Sequence, residues 1–214
     1  MQEDPIQHVD ATALGQSLRR WRALRRMKQS HAAELLGVSQ PTISRWESGT
    51  QTPDEDEQQV LRRLMAARLD SAADHALARL VNESPLRVHL VCDLTHRLLA
   101  LSRGREAECR RPRSEMMGRS LWRYASAEIV RAERSLSDRG WFSDNPPELT
   151  LTTSACLEQD VLIPSSRFRW VRFQLSDGSH ARLVETLETP GVMLNAGPAT
   201  HRSTVPADRG TRAP

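Results

Sequence analysis

With 214 residues, 38% of them hydrophobic and 27% charged, the chain has material for one large domain or two small ones, each with its own core. No stretch approaches the roughly 18 apolar residues of a membrane span, and the acidic start MQEDPIQHVD lacks the apolar segment of a signal peptide. Three scattered cysteines, at 92, 109 and 156, form neither metal spacing nor an even set, so a reducing, cytoplasmic setting is expected.

Residues 1–10 read as a mobile tail. A helix is predicted from near Ala11, with Leu14, Leu18, Trp21 and Leu24 at helical spacing. The net charge of +3 is modest but uneven: Arg19, Arg20, Arg22, Arg25, Arg26 and Lys28 crowd this segment. Such a patch suits phosphate contacts, although a solvated helix face accounts for about half of it as well.

Residues 29–49, QSHAAELLGVSQPTISRWESG, organise the rest. A first short helix runs from about Gln29 to Leu36. Gly37 falls where a helix closes in the left-handed conformation. Ser39 is placed as an N-cap, and Pro41 lies in the first turn, where a missing N–H loses nothing. In the second helix Val38, Ile43 and Trp46 point inward, leaving Gln40, Thr42, Ser44 and Arg45 outside. Those side chains are of the types that read base edges in a major groove, where a merely solvated face more often carries Glu and Lys.

After a polar turn, Pro53 and the acids that follow mark the start of a helical pattern from Glu55 to about Val81. Its first part closes the N-terminal core. Its second part bears an apolar stripe through Leu69, Ala72, Ala73, Ala76, Leu77, Leu80 and Val81. That stripe packs either on its own chain or on a second copy, and a linker and dimerisation helix over 69–85 is the favoured account. Asn82 to Pro85 mark a domain boundary.

The period then changes. RVHLVCDL (87–94) and RLLALSRG (97–104) form a predicted hairpin, followed by an arginine-rich stretch and a helical region from Ser120 to about Arg139. Gly140 ends that region, and Trp141 and Phe142 pack back on the domain. Three more runs follow, at 148–157, 167–179 and 180–189, the last two flanking the turn Ser176-Asp177-Gly178. The expected class is α+β: an all-α N-terminal domain, a linker helix, and a five-stranded antiparallel sheet with helices. Residues 191–214, rich in Pro, Gly, Thr and Ala, read as a disordered tail. Glu106 and Glu108 look like paired carboxylates but fit a solvated face better. No phosphate-cradling glycine loop, zinc-spaced ligand set or nucleophile elbow is present, so an enzyme is not expected.

The run A-x-x-x-G-V-S-x-x-x-I-S-x-W-E-x-G, within residues 12–67, resembles the helix-turn-helix of the phage-repressor (Cro/cI-like, XRE) family of bacterial transcription regulators. The resemblance implies a DNA-binding domain over 11–68. Gln29 would clamp a phosphate. Gln40, Thr42, Ser44 and Arg45 would face bases, with Ser39 at the helix start and Ser48 and Thr50 against the backbone. Arg22 and Glu47 match a partly buried ion pair of that family. Ala32 departs from the usual leucine, and Pro41 replaces a contacting residue of some relatives, so base preference does not carry over.

Residues 86–190 are similar to a PAS domain in element order, in V-x-L-V-C-D-L-T-x-R-L-L-A-L and in G-R-S-L-W. That resemblance implies sensing, dimerisation or both. It brings no cofactor: the photosensor cysteine motif is absent, and His75, His89, His96 and His180 are haem-ligand candidates by residue type alone. The combined expectation is a cytoplasmic, nucleoid-associated regulator that binds an inverted repeat of double-stranded DNA as a homodimer. A small molecule or protein would be the effector of its second half. The competing account is a protein-interaction module of the antitoxin or anti-repressor type.

Overall fold

A computed structural model describes residues 5–157 and 160–188. Its first helix, α1 (Pro5–Leu24), begins with proline at a position where the absent N–H is no loss. The helix therefore takes in residues 5–10 of the stretch expected as a tail. Two short helices follow, α2 (Gln29–Leu36) and α3 (Gln40–Ser48). α1 crosses them closely: a Cβ on Gly15 would stand 2.0 Å from the Trp46 carbonyl oxygen, so only glycine lets the two backbones meet. Leu14, Leu18, Trp21, Ala33, Ile43 and Trp46 close the core between them.

The single helical run expected from Glu55 to about Val81 is two helices, α4 (Glu55–Met65) and α5 (Ala72–Glu83). Apolar periodicity continues across the break, but Ala66 is extended, with φ −65° and ψ 129°. Ala67 is buried, and its N–H donates to the Cys92 sulfur at 3.3 Å. Ser71 then starts α5 with a capping box, accepting from the Asp74 N–H while the Asp74 carboxylate accepts from the Ser71 N–H. Asp74 is held in turn by the backbone and hydroxyl of Ser176. The break is thus stabilised by contacts distant in sequence.

Five antiparallel strands follow: β1 (Val88–Cys92), β2 (Leu98–Leu101), β3 (Leu149–Thr153), β4 (Ser166–Gln174) and β5 (His180–Glu188), in the order β2-β1-β5-β4-β3. Register assigns the two faces. Leu90 opposite Leu183 and Cys92 opposite Ala181 lie on one side; His89 opposite Val184 and Val91 opposite Arg182 lie on the other. The first face receives Met65, Ala67, Ala78 and Val81, and its apolar core runs without a gap into that of α1–α3. Ala78 and Val81 of α5 are thus spent on the chain's own sheet, while Leu80 is 72% exposed. The boundary expected at 82–85 is no break in packing.

The second face is covered by α6 (Arg103–Glu106), α7 (Arg113–Met116), a 3-10 turn (Trp122–Tyr124) and α8 (Ala127–Ser135). The one helix expected over 120–139 is divided because Ser126 caps a fresh start, its hydroxyl accepting from the Ile129 N–H. Gly140, at φ 71°, turns the chain so that Trp141 is fully buried beneath the sheet. The hairpin at Ser176-Asp177-Gly178 forms between β4 and β5, with Gly178 at φ 76°. The expected class, a helical N-terminal unit followed by a five-stranded antiparallel sheet with helices, is the one observed. The tail expected at 191–214 lies outside the described residues.

Candidate nucleic-acid interface

α3 is placed by its two ends. Gly37 and Gly49 stand at φ 67° and 75°, and each backbone N–H returns to the preceding turn. Ser39 caps the start: its hydroxyl accepts from the Thr42 N–H at 3.3 Å and lies 2.8 Å from the Thr42 hydroxyl. Ile43 and Trp46 are buried, while Gln40 and Arg45 are exposed and Thr42 and Ser44 half-exposed. No described residue of the C-terminal half covers Gln40 or Arg45. Arg45 is exposed, and among the described residues its guanidinium hydrogen-bonds only the Thr42 hydroxyl, at 3.4 Å. Ser48 at the end of α3 and Thr50 just beyond it are exposed, their hydroxyls donating to the Arg45 carbonyl.

Beneath that face a polar chain joins three helices. Arg22 of α1 meets Glu47 of α3 through two parallel hydrogen bonds of 2.8 and 2.9 Å and also donates to the Met27 carbonyl. Gln29 at the start of α2 donates to Glu47 at 2.9 Å and accepts from Gln40 at 2.6 Å. Burial alone would raise the Glu47 carboxyl, but the hydrogen bonds from Arg22 and Gln29 and the Arg22 charge hold it below the usual range. Glu47 stays ionised and fixes the tilt of α3 against α1. The structure therefore gives Gln29, expected as a phosphate clamp, an internal bracing contact. Of the basic patch, Arg20 and Arg22 are taken up internally, whereas Arg19, Arg25, Arg26 and Lys28 are exposed.

Sequence reasoning missed a buried charge cluster between the two halves. Asp93, in the β1–β2 turn, accepts from Arg182 at 2.7 Å, Arg172 at 2.9 Å and the Trp141 indole at 3.0 Å. Arg182 also donates to Glu133 of α8, whose carboxylate lies 3.0 Å from His96 Nε2. Burial opposes ionisation of Asp93 and Glu133, yet the neighbouring Arg182 charge keeps both carboxyls below their ordinary values. Arg182 was legible only as a charge sharing a strand face with Val184.

Beside this cluster the second sheet face encloses a cavity of about 120 Å³, lined mainly by apolar groups including Val91, Met116, Ile129, Phe168, Trp170 and Val184. His89, His96 and Arg182 also reach its wall. Its size is that of a benzene-scale guest, for which about 150 Å³ suffices, so it does not fit a haem. His75 is exposed on α5 and His180 lies outside the lining. Burial, aided by the Arg105 charge, pushes His89 well below its ordinary value and leaves it neutral. Burial likewise pushes the Cys109 thiol up, away from a reactive thiolate. Glu108 is not on a solvated face, since it accepts from both Arg87 and Arg105. Among the described residues no three His, Cys, Asp or Glu side chains gather as metal ligands, and no described helix is long and apolar enough to cross a membrane.

Residues 13–78 match a family profile described as a helix-turn-helix domain, so the N-terminal unit is a helix-turn-helix domain. The unit that follows has the five-stranded antiparallel sheet and flanking helices expected of it from the sequence. Among solved structures, one titled as an RNA-binding light-oxygen-voltage receptor is similar at 13% identity and a TM-score of 0.39, over 83% of this chain and 60% of that one. This chain thus spans less than two thirds of that protein. No curated protein matches the sequence.

Proposed function

We propose that the chain is a sequence-specific DNA-binding transcription regulator, not an enzyme, which grips an inverted repeat as a homodimer and whose PAS-like half senses a ligand, dimerises, or both. The observation that carries the reading is the outer face of α3. Gln40, Thr42, Ser44 and Arg45 present donors and acceptors there, on a helix braced by Glu47, Arg22 and Gln29. Arginine suits guanine and glutamine adenine in a major groove, and a threonine methyl suits thymine. Arg19, Arg25, Arg26 and Lys28, with Ser48 and Thr50, supply phosphate contacts beside it. Two copies with reading helices about 34 Å apart would favour a palindrome. Exposed Leu80 on α5 is available to a second copy.

Regulation follows from the shared core. The cavity wall includes Arg182 and His96; both bind Glu133, and Glu133 binds Arg20 of α1. A small apolar effector that shifts Arg182 or His96 would act on the helix that braces α3. Selection of duplexes from a random pool by the full chain tests the reading. Recovery of one palindromic sequence, bound about a thousandfold or more above random duplex, supports it. Recovery of no sequence, with only salt-sensitive binding to all duplexes, refutes it in favour of a protein-interaction module.

A further inference from the structure

A second cleft, of about 250 Å³, opens where α4 meets the turn into β2 and the loop before the 3-10 turn. Arg62 and Arg63 of α4 face Thr95, Arg97, Gly118 and Ser120 across it, and among the described residues no carboxylate lines it. Neither Arg63 nor Arg97 has an ion pair among the described residues, so their charges are directed at solvent or a ligand. The positions are built, not loose. Arg97 lies against Gly118, which stands at φ 76°, and a Cβ there would meet the guanidinium at 3.4 Å. Arg62 is steadied by Gln58 at 3.0 Å. The far wall is tied down by the Ser120 hydroxyl donating to the Thr95 carbonyl at 3.0 Å and by the Gly118 N–H donating to the Leu98 carbonyl at 3.0 Å. Thr95 is 8% exposed, and its hydroxyl is buried with no hydrogen-bond partner.

The guanidinium groups of Arg63 and Arg97 across a roomy cleft with no carboxylate among its described lining residues, and an unpartnered hydroxyl in its wall, meet the demands of a phosphate group. Each planar fork pairs with two phosphate oxygens, and the hydroxyl donates to a third. We propose that this cleft is a phosphate-binding site, clamping α4 of the helix-turn-helix unit to the sheet. The site is separate from the apolar cavity and does not depend on what α3 reads. The phosphate comes either from a small polyphosphorylated ligand or from the backbone of bound duplex.

Calorimetric titration of the full chain with inorganic pyrophosphate, with sulfate as control and a thermal melt alongside, tests the site. Pyrophosphate binding well above sulfate, a raised melting temperature and at least a tenfold loss of affinity in R63A/R97A, with partial retention in R97K, would establish a soluble phosphate ligand. If pyrophosphate fails but R63A/R97A weakens matched and random duplex equally and flattens the salt dependence by about two charges, the duplex supplies the phosphate. Circular dichroism confirms that the variant folds. Equal, substitution-insensitive response to pyrophosphate and sulfate, or no response together with unaltered DNA binding, overturns the proposal.

Discussion

Arg20 of α1 and Glu133 of α8 lie 113 positions apart in sequence, yet the Arg20 guanidinium donates to the Glu133 carbonyl at 3.0 Å and stands 3.6 Å from its carboxylate. Arg20 also lies over the Phe142 ring, 5.0 Å from its centroid. Nearby, the Ser17 hydroxyl donates to the Leu94 carbonyl at 2.8 Å. The helix that positions α3 is thereby fastened to the charge cluster beside the cavity.

Removing Glu133 leaves Arg182 with one carboxylate fewer in a buried setting. Glu133→Ala is expected to cost about 3–5 kcal/mol, and Arg20→Ala about 1–3 kcal/mol, in chemical denaturation of the full chain. Because the two share partners, the double variant should depart from additivity by at least about 0.5 kcal/mol. Strict additivity would mean that α1 does not feel α8.

Gly15 is the point where α1 touches α3. Gly15→Ala sets a Cβ 2.0 Å from the Trp46 carbonyl oxygen, with no flexible side-chain tip to yield. The helices must part, at a cost of about 1–3 kcal/mol, and duplex binding should fall further than stability does. A variant as stable as the parent, with unchanged binding, would contradict the close approach.

Protonation of His89 supplies a pH dependence of defined sign. Burial and the Arg105 charge depress its folded value well below the ordinary 6.5. The unfolded chain therefore binds the proton more readily, and stability falls as pH drops below about 6.5. Asp93 and Glu133, also depressed, add a further loss only below their ordinary 3.8 and 4.5. Denaturation midpoints measured between pH 7 and 5 should decline in the parent and decline less in His89→Gln. Parallel profiles would show that another group titrates.

The helix-turn-helix was legible because its determinants are local. Gly37, Ser39 and Gly49 each fix a backbone turn through atoms within five residues. The strands and the β4–β5 turn were legible for the same reason, through alternation around Ser176-Asp177-Gly178. What escaped notice depends on distant partners. The interruption between α4 and α5 is held by Cys92 and Ser176, and its one local sign was the Ser71–Asp74 capping box. The apolar stripe of α5 was visible, but whether Ala78 and Val81 would meet a sheet or a second copy is a tertiary choice. Arg182 looked like an ordinary strand charge because its partners, Asp93 and Glu133, lie 89 and 49 positions away. Gln29 was read by resemblance as a phosphate clamp, and its bonds to Glu47 and Gln40, which join α2 to α3, carry no local sequence signal.

The bracing role of Gln29 gives its own expectation. Gln29→Ala frees Gln40 and one edge of Glu47 without touching Arg45. It should weaken every duplex by a similar factor, read by fluorescence anisotropy on matched and random sequences. Loss confined to the matched duplex would place Gln29 among the base-reading groups instead.

The base-reading role of α3 is tested most directly by Arg45→Ala against a panel of duplexes carrying each base pair in turn at every position of the selected operator. Binding is measured for parent and variant at fixed salt. The account predicts a loss of about 1–3 kcal/mol on the matched operator together with relaxed preference at one base pair per half-site. Equal losses on matched and random duplex, with every preference retained, would contradict it.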